Sequence, residues 1–388
     1  MNVKLLDLKK QYQSLKPELD EAILKVAESQ YFILGPEVAN LEKNIAEFLG
    51  AKKAVGVSSG TDALLLALMA IDIKPGDEVI VPTYSFFATA GVVSRLNATP
   101  VFVDIDPVSF NIDPQLIEEK ITERTKAIIP VHLYGQSAEM APIMEIAEKY
   151  NLKVIEDGAQ AISVQYKDGR SVGTIGTVGC YSFFPSKNLG GYGDGGMAVA
   201  MDEDIGEKMR ILRVHGAEPK YYHSMIGGNF RLDAIQAAVL NVKLPHLNEW
   251  SAKRRENAQL YTKLFVEAGI AEEEGRINFD ENNKVLLPKA VYKDSGLTNY
   301  HIYNQYVIRV EHRDELREFL KENGIASEIY YPVPFHKQEC FKDLPSSKDE
   351  YPNADFAAEH SLALPIFPEL EREEIEYVAG KIAEFVKS

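Results

Sequence analysis

From residue 54 onward the chain alternates continuous apolar runs with amphipathic stretches, and no other feature limits its fold as much. Ala54 to Val57, Glu78 to Val81, Pro100 to Asp104, Lys126 to His132 and Lys153 to Glu156 read as strands. Thr61 to Ile71, Phe86 to Leu96 and Ala141 to Tyr150 carry helical periodicity. Strands that are apolar throughout need cover on both faces, and a helix between two strands returns the chain parallel to the first. The expected fold class is therefore α/β, a mostly parallel central sheet flanked by helices. In such sheets reactive residues gather at the carboxyl ends of the strands.

The flanking segments extend this plan. A helix is expected near Pro17 to Ala27, an apolar and aromatic loop over Gln30 to Pro36, and a second helix from Glu37 to Leu49. After a strand at Met197 to Ala200, helical patterns run over Leu232 to Leu247 and Ser251 to Ala268, and Glu272 to Asn283 reads as an exposed connection. Tyr303 to Val310, Arg313 to Glu322 and Ala326 to Tyr331 read as strand, helix and strand, with a final helix over Glu371 to Val386. The chain divides on this reading into a large domain, residues 1–250, and a smaller α+β domain, residues 251–388, each of ordinary domain size.

The net charge is −16, from 58 acidic and 42 basic residues, which disfavours general nucleic-acid binding while leaving room for a local anion pocket. Cys180 and Cys340 have no metal-ligand or redox spacing, and the scattered histidines suggest no metal site. No apolar run reaches membrane-spanning length and the N-terminus has no signal-peptide core, so a cytoplasmic protein without a membrane partner is expected.

The chemistry centres on Gly179-Cys-Tyr-Ser-Phe-Phe-Pro-Ser-Lys-Asn-Leu-Gly-Gly-Tyr-Gly-Asp-Gly-Gly-Met197. A buried strand opens it, Pro185 ends that strand, and Lys187 follows in a segment too rich in glycine to be helical. A lysine held in a poorly solvated pocket loses its charge readily, becomes nucleophilic and can condense with an aldehyde. Taken alone, Lys187 reads better as an ordinary surface lysine beside a glycine-rich loop.

Three other stretches give it company. In Val57-Ser-Ser-Gly-Thr-Asp-Ala-Leu64 a strand ends in a tight turn and Thr61 opens a helix, whose free N–H groups either hold a phosphate or are simply capped by Ser59 or Thr61. Val154-Ile-Glu-Asp-Gly-Ala-Gln160 ends a strand in two carboxylates. Asp157 there either faces solvent or holds the protonated ring nitrogen of pyridoxal phosphate, with Gln160 in reach of the ring hydroxyl. Pro82-Thr-Tyr-Ser-Phe-Phe-Ala88 places an aromatic after a strand, either in the core or stacked on a flat ring.

In this order the four stretches resemble the DegT/DnrJ/EryC1/StrS family of sugar aminotransferases. The likeness extends over Tyr31 to Val38, Gly60 to Leu64, Glu156 to Gln160, Ser182 to Gly196, Arg213 to Gly216, Gly228 to Ala238 and Tyr331 to Gln338. It implies the type I aminotransferase fold and pyridoxal 5′-phosphate as cofactor. It further implies Lys187 as the Schiff-base lysine and proton shuttle, Asp157 at the ring nitrogen, Gln160 at the ring hydroxyl and Phe86 stacked on the ring. Gly60, Thr61 and Ser182 would hold the phosphate together with Asn229 of a second subunit, so a homodimer with shared sites is implied. Segment 1–50 would contribute to the substrate pocket, and Tyr31, Asn188, Arg231, Tyr331 and His336 are the candidates for the sugar nucleotide. Glutamate, leaving as 2-oxoglutarate, is the donor the family implies.

Pro185-Ser-Lys-Asn-Leu-Gly190 and Gly193-Asp-Gly-Gly196 look like the branch that aminates C3 of a nucleotide-linked 3-ketosugar for glycan, lipid A or O-antigen synthesis. Members acting on C4 more often resemble His-Ala before the lysine and Gly-Glu-Gly-Gly after it. Position 330 is Tyr where uronate-handling members often carry His, which points to a UDP-linked 3-keto-N-acetylglucosamine or a dTDP-linked 3-keto-6-deoxyhexose rather than a uronate. The alternatives are a C4-specific enzyme, an aminotransferase for a free ketosugar or cyclitol, and a regulatory protein that keeps the pocket without turnover.

Overall fold

A computed structural model describes residues 1–388. Helices α1 (Leu8–Ser29) and α2 (Pro36–Leu49) precede β1 (Lys53–Val57), and α3 (Gly60–Ala70), β2 (Glu78–Pro82), α4 (Ala88–Arg95), β3 (Thr99–Val103) and β4 (Thr125–Ile128) follow. Next come α5 (Met140–Tyr150), β5 (Lys153–Asp157), β6 (Val178–Ser182), β7 (Gly196–Ala200), α6 (Glu203–Leu212), α7 (Ala234–Lys243) and α8 (Leu247–Glu267). The remainder is β8 (Val285–Leu286), β9 (Tyr306–Val310), α9 (Arg313–Glu322), α10 (Pro352–His360), β10 (Ser361–Leu364) and α11 (Arg372–Lys387).

The seven-stranded sheet has the order β1-β7-β6-β5-β4-β2-β3. Six strands run in one direction and β7 alone runs against them, pairing antiparallel with both β1 and β6. Successive side chains of β2 go to opposite faces, as strand geometry requires: Val79 and Val81 join the core under α3 and α4, and Ile80 joins the core under α5. Helix α3 is buried almost all round, matching its Ala- and Leu-rich sequence. On the opposite face α2 and α7 cover the β1, β7 and β6 end. The central sheet and its helical cover agree with the sequence reading.

The second sheet, β10-β9-β8, is antiparallel and packs with α8, α9 and α11. Val3 bridges to Ile325, so the N-terminus joins this later unit. In return Tyr351, Ala354 and Ala357 pack into the core beside Phe102. The expected strand Ala326 to Tyr331 is not formed. Only Glu328 bridges to Ala363, on the edge of β10 away from β9, and the rest of the segment forms no ladder. The long pattern through Leu247 is divided at Pro245, which lacks the N–H needed to continue a helix. No helix is long and apolar enough to cross a membrane.

Candidate active site

The carboxyl ends of β2, β5 and β6 and the N-terminus of α3 open on one cavity of about 430 Å³. Its wall includes Gly60, Thr61, Phe86, Asp157, Gln160, Ser182, Lys187 and Tyr331, so eight of the expected residues meet in one place. The glycine is required where it stands: a Cβ on Gly60 would lie 2.8 Å from the Ser182 Cβ. Ser59 caps α3 by accepting from the Asp62 N–H at 3.0 Å, while the first-turn N–H groups of Gly60 and Thr61 border the cavity.

Lys187 sits in a loop closed by the Phe183 N–H bond to Gly195 O and the Gly191 N–H bond to Phe183 O, each 2.8 Å. Burial lowers its amine to about pKa 8, and the nearby Asp157 charge opposes part of that shift. Asp157 is buried and its carboxyl is raised by that burial, against a bond from the Thr89 hydroxyl (2.8 Å), one from the Ala159 N–H (3.2 Å) and the Lys187 charge. Lysine and carboxylate thus face one dry space with their charge states drawn toward neutrality.

Gln160 is fixed at both ends of its amide. Its oxygen accepts from the Tyr134 N–H at 2.6 Å, and its Nε2 donates to the Tyr331 hydroxyl at 3.0 Å. Tyr331 is in turn placed by the Tyr84 hydroxyl, which accepts from the Tyr331 N–H at 2.8 Å and donates to Tyr330 O at 2.6 Å. Phe86 is 56% exposed at the mouth, its ring centroid 6.1 Å from that of Tyr331. Helix α4 begins at Ala88, two residues later than the sequence pattern suggests, and so Phe86 is left in the loop.

Five expected residues lie elsewhere in the chain. Asn229 and Arg231 line a second, polar groove that adjoins the cavity through Ser59 and Asp194. Tyr31 is 65% exposed and outside the cavity. Asn188 and His336 correct the sequence reading. Asn188 is buried, donating to Ile302 O at 3.1 Å and accepting from Asn304 at 2.7 Å, so it ties the lysine loop to the chain before β9. His336 is buried behind the cavity between Thr83 (2.9 Å) and Asp355 (3.1 Å). Sequence reasoning missed Thr89, Tyr134 and Gln305, and used Tyr330 only to judge the substrate. Of these only Thr89 carries a signal: it stands one helical turn after Ser85, to which it is hydrogen-bonded at 3.2 Å.

Residues 13–383 match the DegT/DnrJ/EryC1/StrS aminotransferase family, and the chain belongs to it. A pleiotropic regulatory protein of Geobacillus stearothermophilus is 50% identical over 387 residues, covering 100% of this chain and 99% of its own. A UDP-N-acetyl-3-dehydro-α-D-glucosamine 3-aminotransferase of Acidithiobacillus ferrooxidans is 43% identical, covering 98% of this chain and 97% of its own. The crystal structure of DesV from S. venezuelae, in complex with a ketimine intermediate, superposes with a TM-score of 0.91 at 38% identity, over 100% of this chain and 99% of DesV.

The protein is an aminotransferase whose cofactor is pyridoxal 5′-phosphate. The residues present fit that group. The Gly60 cradle and the first turn of α3 suit its phosphate, the buried Asp157 suits a protonated ring nitrogen, and Lys187 is the one amine on the cavity wall. When bound, the cofactor supplies a sink for the electrons left behind when a proton leaves the donor's α-carbon.

Proposed function

We propose that the protein transfers the amino group of L-glutamate to C3 of a nucleotide-linked 3-ketosugar, of the UDP-3-keto-N-acetylglucosamine type, as a homodimer in the cytoplasm. The observation that carries the chemistry is Lys187 and Asp157 facing one buried cavity with opposed pKa shifts. An amine near pKa 8 is about one-fifth neutral at physiological pH, far more than an ordinary lysine, and that fraction can attack an aldehyde. Once free again, it can take a proton from one carbon and return it to another. In this reading Lys187 holds the cofactor aldehyde and moves the proton at Nζ, and Asp157 keeps the ring nitrogen protonated. Gln160 orients the ring hydroxyl, Phe86 covers the ring face, and Gly60, Thr61 and Ser182 bind the phosphate.

The C3 assignment is supported by the loop on either side of Lys187 and by the likeness to the 3-aminotransferase of Acidithiobacillus ferrooxidans. A dimer with Asn229 of the partner subunit at the phosphate is supported by two features. Asn229 and Arg231 lie in a groove beside the cavity rather than in it, and Tyr31, Phe32, Ile33 and Phe184 expose apolar surface, which marks contact faces on soluble proteins. Arg231, Tyr31 and Tyr331 are then the sugar-nucleotide contacts.

The test is the reverse reaction with 2-oxoglutarate and a panel of UDP- and dTDP-linked 3- and 4-amino sugars. Glutamate should form with the UDP-linked 3-amino sugar. Reaction with 4-amino sugars alone would overturn the regiochemistry, and reaction with the dTDP series alone the nucleotide. The likeness to a pleiotropic regulatory protein favours a second reading, a pocket without turnover. That reading requires the bound cofactor's visible absorption to be unaffected by every amino donor.

A further inference from the structure

Arg254, on α8, is 3% exposed yet forms no ion pair. Its Nη1 donates to three carbonyl oxygens, of Tyr303 (3.1 Å), Asn304 (3.4 Å) and Ile366 (2.9 Å), while neither Nε nor Nη2 donates to any protein group. Glu369 acts on it only from beyond contact distance, and burial lowers the guanidinium to about pKa 10. A buried guanidinium without an anion is costly, and the Nε–Nη2 edge is the one that grips a carboxylate with two parallel bonds.

Arg254 lines a recess of about 50 Å³. One water needs roughly 10–15 Å³ of such space, so the recess has room for a carboxylate and none for a sugar. It shares Ser186, Gln305 and Tyr330 with the wall of the large cavity, so it lies one residue from Lys187 in the chain and beyond the reacting space. Gln305 has a buried amide oxygen with no partner, and a half-turn of the amide presents its N–H2 group at that point instead.

We propose that this recess receives the distal carboxylate of the dicarboxylic amino donor, paired with Arg254 and Gln305. The inference rests on the transaminase reading above and names the group by which its donor is chosen. The donor's α-carboxylate is one bond from the reacting carbon and must stay in the large cavity. In this proposal the carboxylate two methylenes further on reaches past Ser186, Gln305 and Tyr330, the residues that both spaces share.

The experiment follows the half-reaction of the holoenzyme with L-glutamate and with L-glutamine through the cofactor's absorption, together with calorimetric binding of glutarate, which cannot react. The wild type should favour glutamate by about a hundredfold, and Arg254→Met should slow glutamate ten- to a hundredfold, leave glutamine unchanged and abolish glutarate binding. Leu6→Phe, which narrows the recess without touching the guanidinium, should act in the same direction and decides the matter if Arg254→Met does not fold. Equal rates for glutamate and glutamine in the wild type, or variants that slow both donors equally, overturn the proposal. If no donor reacts at all, the transaminase reading fails, and glutarate binding still decides the recess by itself.

Discussion

Glu156 and Asp157 are neighbours at the end of β5 and point to opposite faces of the sheet. Glu156 accepts from the Gly173, Ile175 and Gly176 N–H groups at 2.6–2.7 Å and from His132 Nε2 at 3.0 Å. The imidazole is held in that tautomer because its Nδ1 accepts from the Ala138 N–H at 3.0 Å. Every lone pair in reach is used, and the chain over 173–176 is fastened to the sheet. Asp157 receives only Thr89 and Ala159 and borders the cavity with Lys187. One carboxylate is satisfied by the fold, and the other is left with capacity to spare. That difference separates structure from function on two consecutive residues.

The largest expected effect comes from removing the group that Asp157 faces. Lys187→Ala should lower turnover by at least about 10⁴-fold with the fold intact, since nucleophile and proton carrier go together. Borohydride reduction of the wild-type holoenzyme followed by peptide mapping should place the pyridoxyl label on residue 187 alone.

The two carboxylates should then part company. Asp157→Asn should cost roughly 10²–10³-fold in kcat with the fold intact, by loss of charge stabilisation at the cofactor ring. Glu156→Gln leaves buried donors unmatched and should cost about 3 kcal/mol of stability, with near-normal kcat in the protein that remains folded. Urea titration beside kcat measurement separates the pair. If both variants lose activity without losing stability, the contrast is broken.

Much of this was readable beforehand where the signal is local. The strand ends at 57, 157 and 182 and the lysine loop follow apolar runs that stop at Ser, Asp and Pro, which singled out Gly60, Asp157 and Lys187; Ser182 came only with the family resemblance, and all four line the cavity. Asn188 and His336 were misjudged because their partners lie far away in sequence, Ile302 and Asn304 for one, Thr83 and Asp355 for the other. Ala326 to Tyr331 has the composition of a strand, but only Glu328 pairs, with Ala363 at the outer edge of β10, and that partner lies 35 residues away in sequence. Arg254 gave no sign, since its isolation is a property of three carbonyls from two distant turns.

A smaller effect is expected from the group that holds Asp157. Thr89→Val removes its one hydroxyl donor while keeping the volume. A hydrogen bond to a charged acceptor is worth about 1.5–3 kcal/mol, so the carboxyl should rise by about one pH unit or more. The acid limb of the pH–rate profile should move up by that amount and kcat at neutral pH fall about tenfold. An unmoved acid limb would mean that Asp157 is not the group titrating there. The same substitution should also lower stability in urea titration by about 1.5–3 kcal/mol, because the bond that is lost is buried.

The smallest effect, and the sharpest on the cavity side, is the pH dependence of the apoprotein's stability. Lys187 titrates near pH 8 when folded and near 10.4 when unfolded. Below pH 8 both states carry the proton, and the cost of burying the charge is present in full. Between about 8 and 10.4 the unfolded chain binds a proton that the folded one has released, so stability rises with pH across that window. The raised carboxyl of Asp157 works in the opposite sense, losing stability as pH rises through its own folded value, and it is present in the wild type and in Lys187→Met alike. Lys187→Met should melt higher than the wild-type apoprotein at pH 7.5, and the gap should narrow steadily toward pH 10. A constant gap would show that the amine is solvated, and the nucleophile would then have to be activated by something other than its burial.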